Sequence, residues 1–129
     1  MANQATHTEA APAAIGAYSQ ALTTTFARTT FISGQIPLDP ATMEMVSDDF
    51  TAQAHQVFRN LAAVAEAAGA SLASAVKLNV YLTDLGNFAA LNTVMAEYFD
   101  ELFPARAAVE VSALPRGAQI EIDAILAHA

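Results

Sequence analysis

The apolar residues of this chain change period in mid-course, and that change limits the fold more than any other feature. Over residues 49–68 the larger apolar side chains fall at Phe50, Val57, Leu61 and Val64, with Ala54 and Ala68 filling the same stripe. Steps of three and four residues predict one face of an amphipathic helix. Ser47, Asp48 and Asp49 suit its capped start, and Gly69 supplies a left-handed stop. Soon afterwards Val76, Leu78, Val80 and Leu82 alternate with Lys77, Asn79 and Tyr81, the period of a strand with one apolar face. A chain that passes so abruptly from helical to strand period must pack helix against sheet.

The flanking segments extend this pattern. Residues 87–101 repeat the helical spacing at Phe88, Leu91, Met95, Tyr98 and Leu102, and Pro104 stops it. Ala107, Val109 and Val111 alternate with Arg106, Ala108 and Glu110. Ile120, Ile122, Ala124 and Leu126 alternate with Gln119, Glu121 and Asp123, so two strands follow, broken at Leu114-Pro115-Arg116-Gly117. Upstream, residues 18–35 are rich in β-branched and aromatic types, which predicts two strands turning at Ala27-Arg28 and ending at Pro37-Leu38-Asp39-Pro40. The order β-β-α-β-α-β-β implies an α+β domain, a mixed or antiparallel sheet covered on one face by both helices. Residues 1–10 are expected to be a flexible leader and 11–129 a single domain.

The second face of that sheet is expected to carry Ser33, Gln35, Lys77, Asn79, Tyr81, Arg106, Glu110, Glu121 and Asp123. Such a face either meets water or meets symmetry mates across clefts between subunits.

Composition removes whole classes of function. The 129 residues are 54% apolar and 14% charged, enough to bury a core without staples. With no cysteine there is no disulfide framework, thiol nucleophile or cysteine-held metal. Five Lys and Arg against thirteen Asp and Glu give a formal charge of −8, which opposes nucleic acid and anionic membranes. No run is long enough for a membrane span, and residues 1–14 lack the basic start and apolar middle of a signal peptide, so the cytoplasm is the expected compartment. Histidines stand at 7, 55 and 128 without ligand spacing, so no metal site is expected, and His55 reads as a solvated helix residue. The five glycines are dispersed, which supports no phosphate loop.

Arg106 remains, at the entrance to a strand in a chain with one lysine and four arginines. An arginine on a rigid strand grips a carboxylate through two parallel hydrogen bonds; alternatively it makes a structural salt bridge with Glu110 or Glu121. Tyr18 reads either as an aromatic packed on the core or as a pocket residue, and Ser33-Gly34 as a bulge or a site of close backbone approach.

These segments resemble a known family. The motifs are Ala11-Pro12-Ala13-Ala14-Ile15-Gly16-Ala17-Tyr18-Ser19-Gln20, Ser33-Gly34-Gln35-Ile36-Pro37, Phe103-Pro104-Ala105-Arg106, Val109-Glu110-Val111, Leu114-Pro115-Arg116-Gly117 and Ile120-Glu121-Ile122-Asp123-Ala124-Ile125. In order and spacing they are similar to the Rid family of reactive intermediate deaminases, most of all its RidA-type members. The resemblance implies a chorismate-mutase-like α+β fold, a homotrimeric barrel with sites between subunits, and cofactor-free hydrolysis of enamines and imines such as 2-aminoacrylate to 2-keto acids and ammonia. It implies that Arg106 binds the substrate carboxylate, that Glu121 positions water or a proton, and that Tyr18, Ser33, Gly34 and Asn92 shape the pocket. Asn92 matches a position near the neighbouring subunit's cleft. Ala108 stands where many members have cysteine, so its contribution is expected from the backbone.

Three positions depart from the family pattern. Ala17 replaces a common proline, Met43 replaces a glycine in the Thr42-x-Glu44 turn, and the segment between Tyr18 and Ser33 is about two residues longer. A second function fits the same pocket: binding of a 2-keto acid or other small carboxylate without turnover. Ribonuclease and holdase activities rank below both, since the charge of −8 opposes RNA and a holdase needs an exposed apolar patch.

Overall fold

A computed structural model describes residues 3–100 and 102–129. In chain order it contains β1 (Gln4–Thr6), β2 (Ala21–Thr23), β3 (Arg28–Gln35), α1 (Phe50–Ala67), β4 (Ala75–Leu82), α2 (Phe88–Met95), β5 (Ala105–Glu110) and β6 (Ile120–His128). The main sheet runs β3-β6-β4-β5. β6 is antiparallel to both of its neighbours, whereas β4 and β5 are parallel. The parallel pair follows from α2, which returns the chain to the starting end of the sheet before β5 begins. The result is the expected α+β architecture with a mixed sheet and two helices on one face.

The core lies between those helices and the sheet. Leu78, Val80 and Leu82 of β4 and Ile120, Ile122, Ala124 and Leu126 of β6 are buried on one side of their strands. They meet Ala54, Val57, Phe58, Leu61 and Ala65 of α1 and Leu91, Val94 and Met95 of α2. Asp49 caps α1, its Oδ2 accepting from the Ala52 N–H at 2.9 Å. The buried stripe of α1 differs from the sequence reading at two places. Phe58 is buried and Val64 is 38% exposed, because the drift of a 3.6-residue helix turns position 64 to the rim while 58 and 65 face the sheet.

Three other segments depart from expectation. β2 does not form a hairpin with β3; it pairs antiparallel with β1, Ala5 opposite Leu22. None of its residues is buried, so no apolar face holds it in register with the main sheet. The strand at Gln4–Thr6 lies within residues 1–10, where the sequence suggests no element. α2 is shorter than residues 87–101. After Met95 the chain tightens into turns in which Glu97 and Tyr98 donate to the carbonyls three residues back, Val94 and Met95. Leu102, with φ of 64°, leaves the expected apolar stripe and is 52% exposed. The expected helix end at Glu101 lies outside the described residues.

Met43 also has positive φ, 60°, in a turn closed by its N–H on the Asp39 carbonyl at 2.7 Å. A left-handed conformation costs an L-residue about 1 kcal/mol or more, and this side chain is 59% exposed. Met43→Gly is therefore expected to stabilise the fold by about 0.5 kcal/mol, after the larger unfolded-state entropy of glycine is deducted. Thermal unfolding checks this, and a lower Tm refutes it.

Candidate functional site

Register against β4 decides which way the side chains of β5 point. Arg106, Ala108 and Glu110 lie opposite Leu78, Val80 and Leu82, the buried face of β4. Cross-strand partners share a face, so these three residues face the helices, and Ala105, Ala107 and Val109 face away. The expectation that Arg106 and Glu110 share the open face with Lys77, Asn79 and Tyr81 is thereby corrected. Alternation within β5 reads equally well in either register, and only pairing chooses between them.

On the helix side Arg106 sits at the sheet edge under α2. Its Nη1 donates to Asn92 Oδ1 at 2.7 Å and to the Met95 thioether at 3.4 Å. Its guanidinium carbon lies 5.0 Å from the Tyr18 ring centroid and 5.1 Å from that of Phe88, both within cation–π range. Burial lowers its pKa from the ordinary arginine value, and the neighbouring Tyr18 opposes that shift. The side chain remains a cation, as arginine does in proteins. Among the described residues Nε and Nη2 make no hydrogen bond. The alternative reading of Arg106, a salt bridge to Glu110 or Glu121, is not found among them; Glu110 Oε1 instead accepts from the Leu85 N–H at 2.9 Å.

Residues 15–19 close this cluster from the loop before β2. The Ala17 N–H donates to Asn92 Oδ1 at 3.2 Å, a bond that proline at this position would remove. Ser19 ties the loop to the start of β5 through its N–H on the Pro104 carbonyl and its hydroxyl on the Phe103 carbonyl. A Cβ at Gly16 would stand 2.8 Å from Asn92 Oδ1 and 3.1 Å from Arg106 Nη2, so glycine is needed for the loop to pass so closely. Tyr18 thus lies against Arg106 in a loop, and its hydroxyl accepts from the Ile15 N–H at 3.2 Å. Asn92 belongs to the arginine's own chain and holds it directly.

A second group occupies the opposite face. Glu121 and Asp123 of β6 stand opposite Tyr81 and Asn79 of β4, away from the helices. Asp123 accepts from Asn79 Nδ2 at 2.8 Å and from the Tyr81 hydroxyl at 3.0 Å. The latter bond raises the Tyr81 pKa above the ordinary phenol value, and partial desolvation adds to the shift. Ser33 and Gly34 form the bulge of β3 between Ile32 and Gln35. A Cβ at Gly34 would come within 2.8 Å of Glu121 Cδ, so the carboxylate side chain fills the space that glycine leaves. Phe31, 74% exposed, and Val109, 45% exposed, also lie on this side.

The proposed residues therefore form two groups within one chain. Tyr18, Asn92 and Arg106 converge on the helix side, with Ala108 beside them on the same face of β5. Ser33 and Gly34 lie on the opposite edge strand, β3, and Glu121 on its neighbour β6. The strand of Glu121 is two positions from that of Arg106, about 9.6 Å in strand spacing, and the two side chains point to opposite faces. Phe88, Met95 and Gly16 complete the first group although sequence reasoning assigned them no role. Phe88 and Met95 read only as apolar helix positions, and Phe88 precedes Asn92 by four residues, which places both on one helix face.

His55 is held rather than freely solvated. Its Nδ1 lies 2.8 Å from the Tyr98 hydroxyl and its Nε2 3.5 Å from Glu97.

Residues 8–128 match the family described as endoribonuclease L-PSP. Protein DfrA of Myxococcus xanthus is 55% identical over 125 residues, covering 97% of this chain and 95% of that protein. The 2-iminobutanoate/2-iminopropanoate deaminase of Capra hircus is 45% identical over 118 residues, covering 92% of this chain and 85% of that enzyme. The crystal structure of RidA from the Antarctic bacterium Psychrobacter sp. PAMC 21119 superposes with a TM-score of 0.76 at 52% identity, covering 96% of this chain and 98% of that one.

Proposed function

Since the chain belongs to the endoribonuclease L-PSP family, the same family as RidA, we propose that it hydrolyses 2-imino acids and their enamine tautomers, such as 2-aminoacrylate, to 2-keto acids and ammonia without a cofactor. One observation carries this reading: Arg106 is braced on Nη1 and offers its Nε–Nη2 edge. Two parallel N–H donors on that edge match a carboxylate in geometry and charge. A planar 2-imino acid held in this way keeps its adjacent C=N accessible to water. Water then adds to C2 of the protonated imine and gives up a proton to Glu121. Glu121 returns that proton to the nitrogen of the tetrahedral adduct, and the C2–N bond breaks as ammonia leaves. The hydroxyl passes its proton to the Glu121 carboxylate, which releases it to the departing ammonia, so that the keto group forms and the carboxylate is restored.

Arg106 and Glu121 point to opposite faces in one chain, so the reading requires a second copy to bring its Glu121 to this Arg106. A homotrimer whose sheets face one another fits that need. It also covers Phe31 and Val109, apolar side chains that a monomer leaves in water. The small carboxylate substrate suits a chain of charge −8 only because Arg106 supplies a local cation. No helix among the described residues is long and apolar enough to cross a membrane, and the reading places the enzyme in the cytoplasm beside the reactions that release such imines.

The test generates a 2-imino acid in place with an amino-acid oxidase and follows ammonia against the spontaneous rate. Light scattering on the same sample is expected to give three times the chain mass. Acceleration by a trimer supports the reading. A trimer that binds 2-keto acids yet fails to accelerate release from several precursors makes the protein a carboxylate-binding module instead. A monomer that accelerates release overturns the shared site.

A further inference from the structure

We propose that Met95 is a positioning residue, its thioether selecting the edge of Arg106 that meets the substrate. This inference rests on the reading of Arg106 as the carboxylate clamp. A guanidinium has five N–H donors, two on Nη1, two on Nη2 and one on Nε. Asn92 Oδ1 takes one bond from Nη1 at 2.7 Å, and Met95 Sδ takes another at 3.4 Å. Both donors of Nη1 are thus engaged inside the protein. A carboxylate that approached end-on, across Nη1 and Nη2, would have to displace one of those partners. The side-on approach across Nε and Nη2 displaces neither partner, and a side chain at Gly16, which would crowd Nη2 at 3.1 Å, is absent.

Met95 suits this task because it is fully buried in the last turn of α2, and Asn92 precedes it by three residues on the same face. Packing against the core holds the sulfur still, so the acceptor is fixed before substrate arrives. The amide oxygen of Asn92 is fixed from the other side by the Ala17 N–H. With two rigid acceptors on one nitrogen, the guanidinium cannot turn about its own plane. The consequence for the reaction is orientation: a carboxylate on the Nε–Nη2 edge carries C2 and its imine nitrogen to one place only.

The experiment compares wild type with Met95→Leu and Met95→Gln. Leucine keeps the volume and removes the acceptor; glutamine restores an acceptor at the expense of burying an amide. The readouts are Tm, the Kd of 2-oxobutanoate by calorimetry, the kcat and KM of ammonia release, and the Nη resonances of Arg106 in protein labelled with 15N-arginine. Met95→Leu is expected to leave Tm within a few degrees, to weaken 2-oxobutanoate about fivefold, and to raise KM more than it lowers kcat. Its two Nη resonances, expected to be resolved in wild type by hindered rotation, are expected to merge in this variant. Met95→Gln is expected to lower Tm while retaining near wild-type affinity and resolved resonances.

Opposed movement of stability and affinity supports positioning, since a merely structural role makes affinity follow Tm in both variants. Unchanged Kd and unchanged Nη resonances in Met95→Leu overturn the inference. The resonances report on Arg106 without substrate. Loss of turnover and of keto-acid binding in wild type therefore discards the deaminase reading, while merged resonances in Met95→Leu still speak for the bracing of Nη1.

Discussion

Arg106→Ala is expected to lower kcat/KM for 2-imino acids by about 100- to 10,000-fold while the protein folds and assembles as before. The magnitude follows from the clamp: hydrogen bonds to a charged group contribute about 1.5–3 kcal/mol each, and two of them orient the substrate as well as hold it. The fold has little reason to fail. Arg106 is only half-buried on an edge strand, and Asn92 Oδ1 keeps its second donor, the Ala17 N–H, when the guanidinium is gone. What remains is a gap beside Tyr18 and Phe88, with a cost of about 1 kcal/mol that small shifts of the loop at residues 15–19 reduce. Arg106→Lys keeps the charge and loses the planar fork, so an intermediate loss is expected, expressed mainly in KM. The assay of ammonia release with both variants checks this. An Arg106→Ala enzyme with the wild-type rate removes the clamp from the mechanism.

Gly34→Ala is expected to reduce turnover by about 10- to 100-fold by pushing the Glu121 carboxylate out of place. The added methyl falls within 2.8 Å of Glu121 Cδ and 3.2 Å of Cγ, so the carboxylate side chain has to leave its place. Glu121 is half-buried and its side chain is flexible, so the displacement costs little stability. It costs activity to the extent that Glu121 handles the proton of the attacking water, a contribution typically of 100-fold or more. The informative comparison is a double-mutant cycle. If glycine acts through the carboxylate, Gly34→Ala in the Glu121→Ala background adds almost nothing further. Additive losses would place the role of Gly34 in its backbone instead. A trimer lost in either variant, seen as a lower mass in light scattering, would make the group structural.

Several features of the site were legible in the sequence. Arg106 stood out because it is one of few cations in an acidic chain and enters a strand just after Pro104. Glu121 was visible as the polar partner of Ile120 and Ile122 in a two-residue alternation, and the structure keeps that alternation from Ile120 to Leu126, after which Ala127 and His128 are also buried. The face of Arg106 was not legible. Small residues surround it, Ala105, Ala107 and Ala108, and Val109 is exposed while Ala108 packs on the core. Polarity along β5 therefore carries no signal for inside and outside, and the hydrogen-bonded register with β4 decides. Asn92, Phe88 and Met95 share a helix face by their spacing, yet which face meets Arg106 depends on how α2 lies over the sheet edge.

The amino-acid sequence by itself determined the two main helices, the strands with strong alternation, the α+β class and the short list of groups able to do chemistry. Those are local properties, set by side-chain period, capping residues and prolines within a few positions of one another. Tertiary structure alone decided the pairing of β2 with β1, the parallel register of β4 with β5, and the division of the site into an arginine side and a glutamate side. Each depends on contacts between segments far apart in the chain, where several registers satisfy the local pattern equally and only burial and hydrogen bonding of the assembled sheet distinguish them.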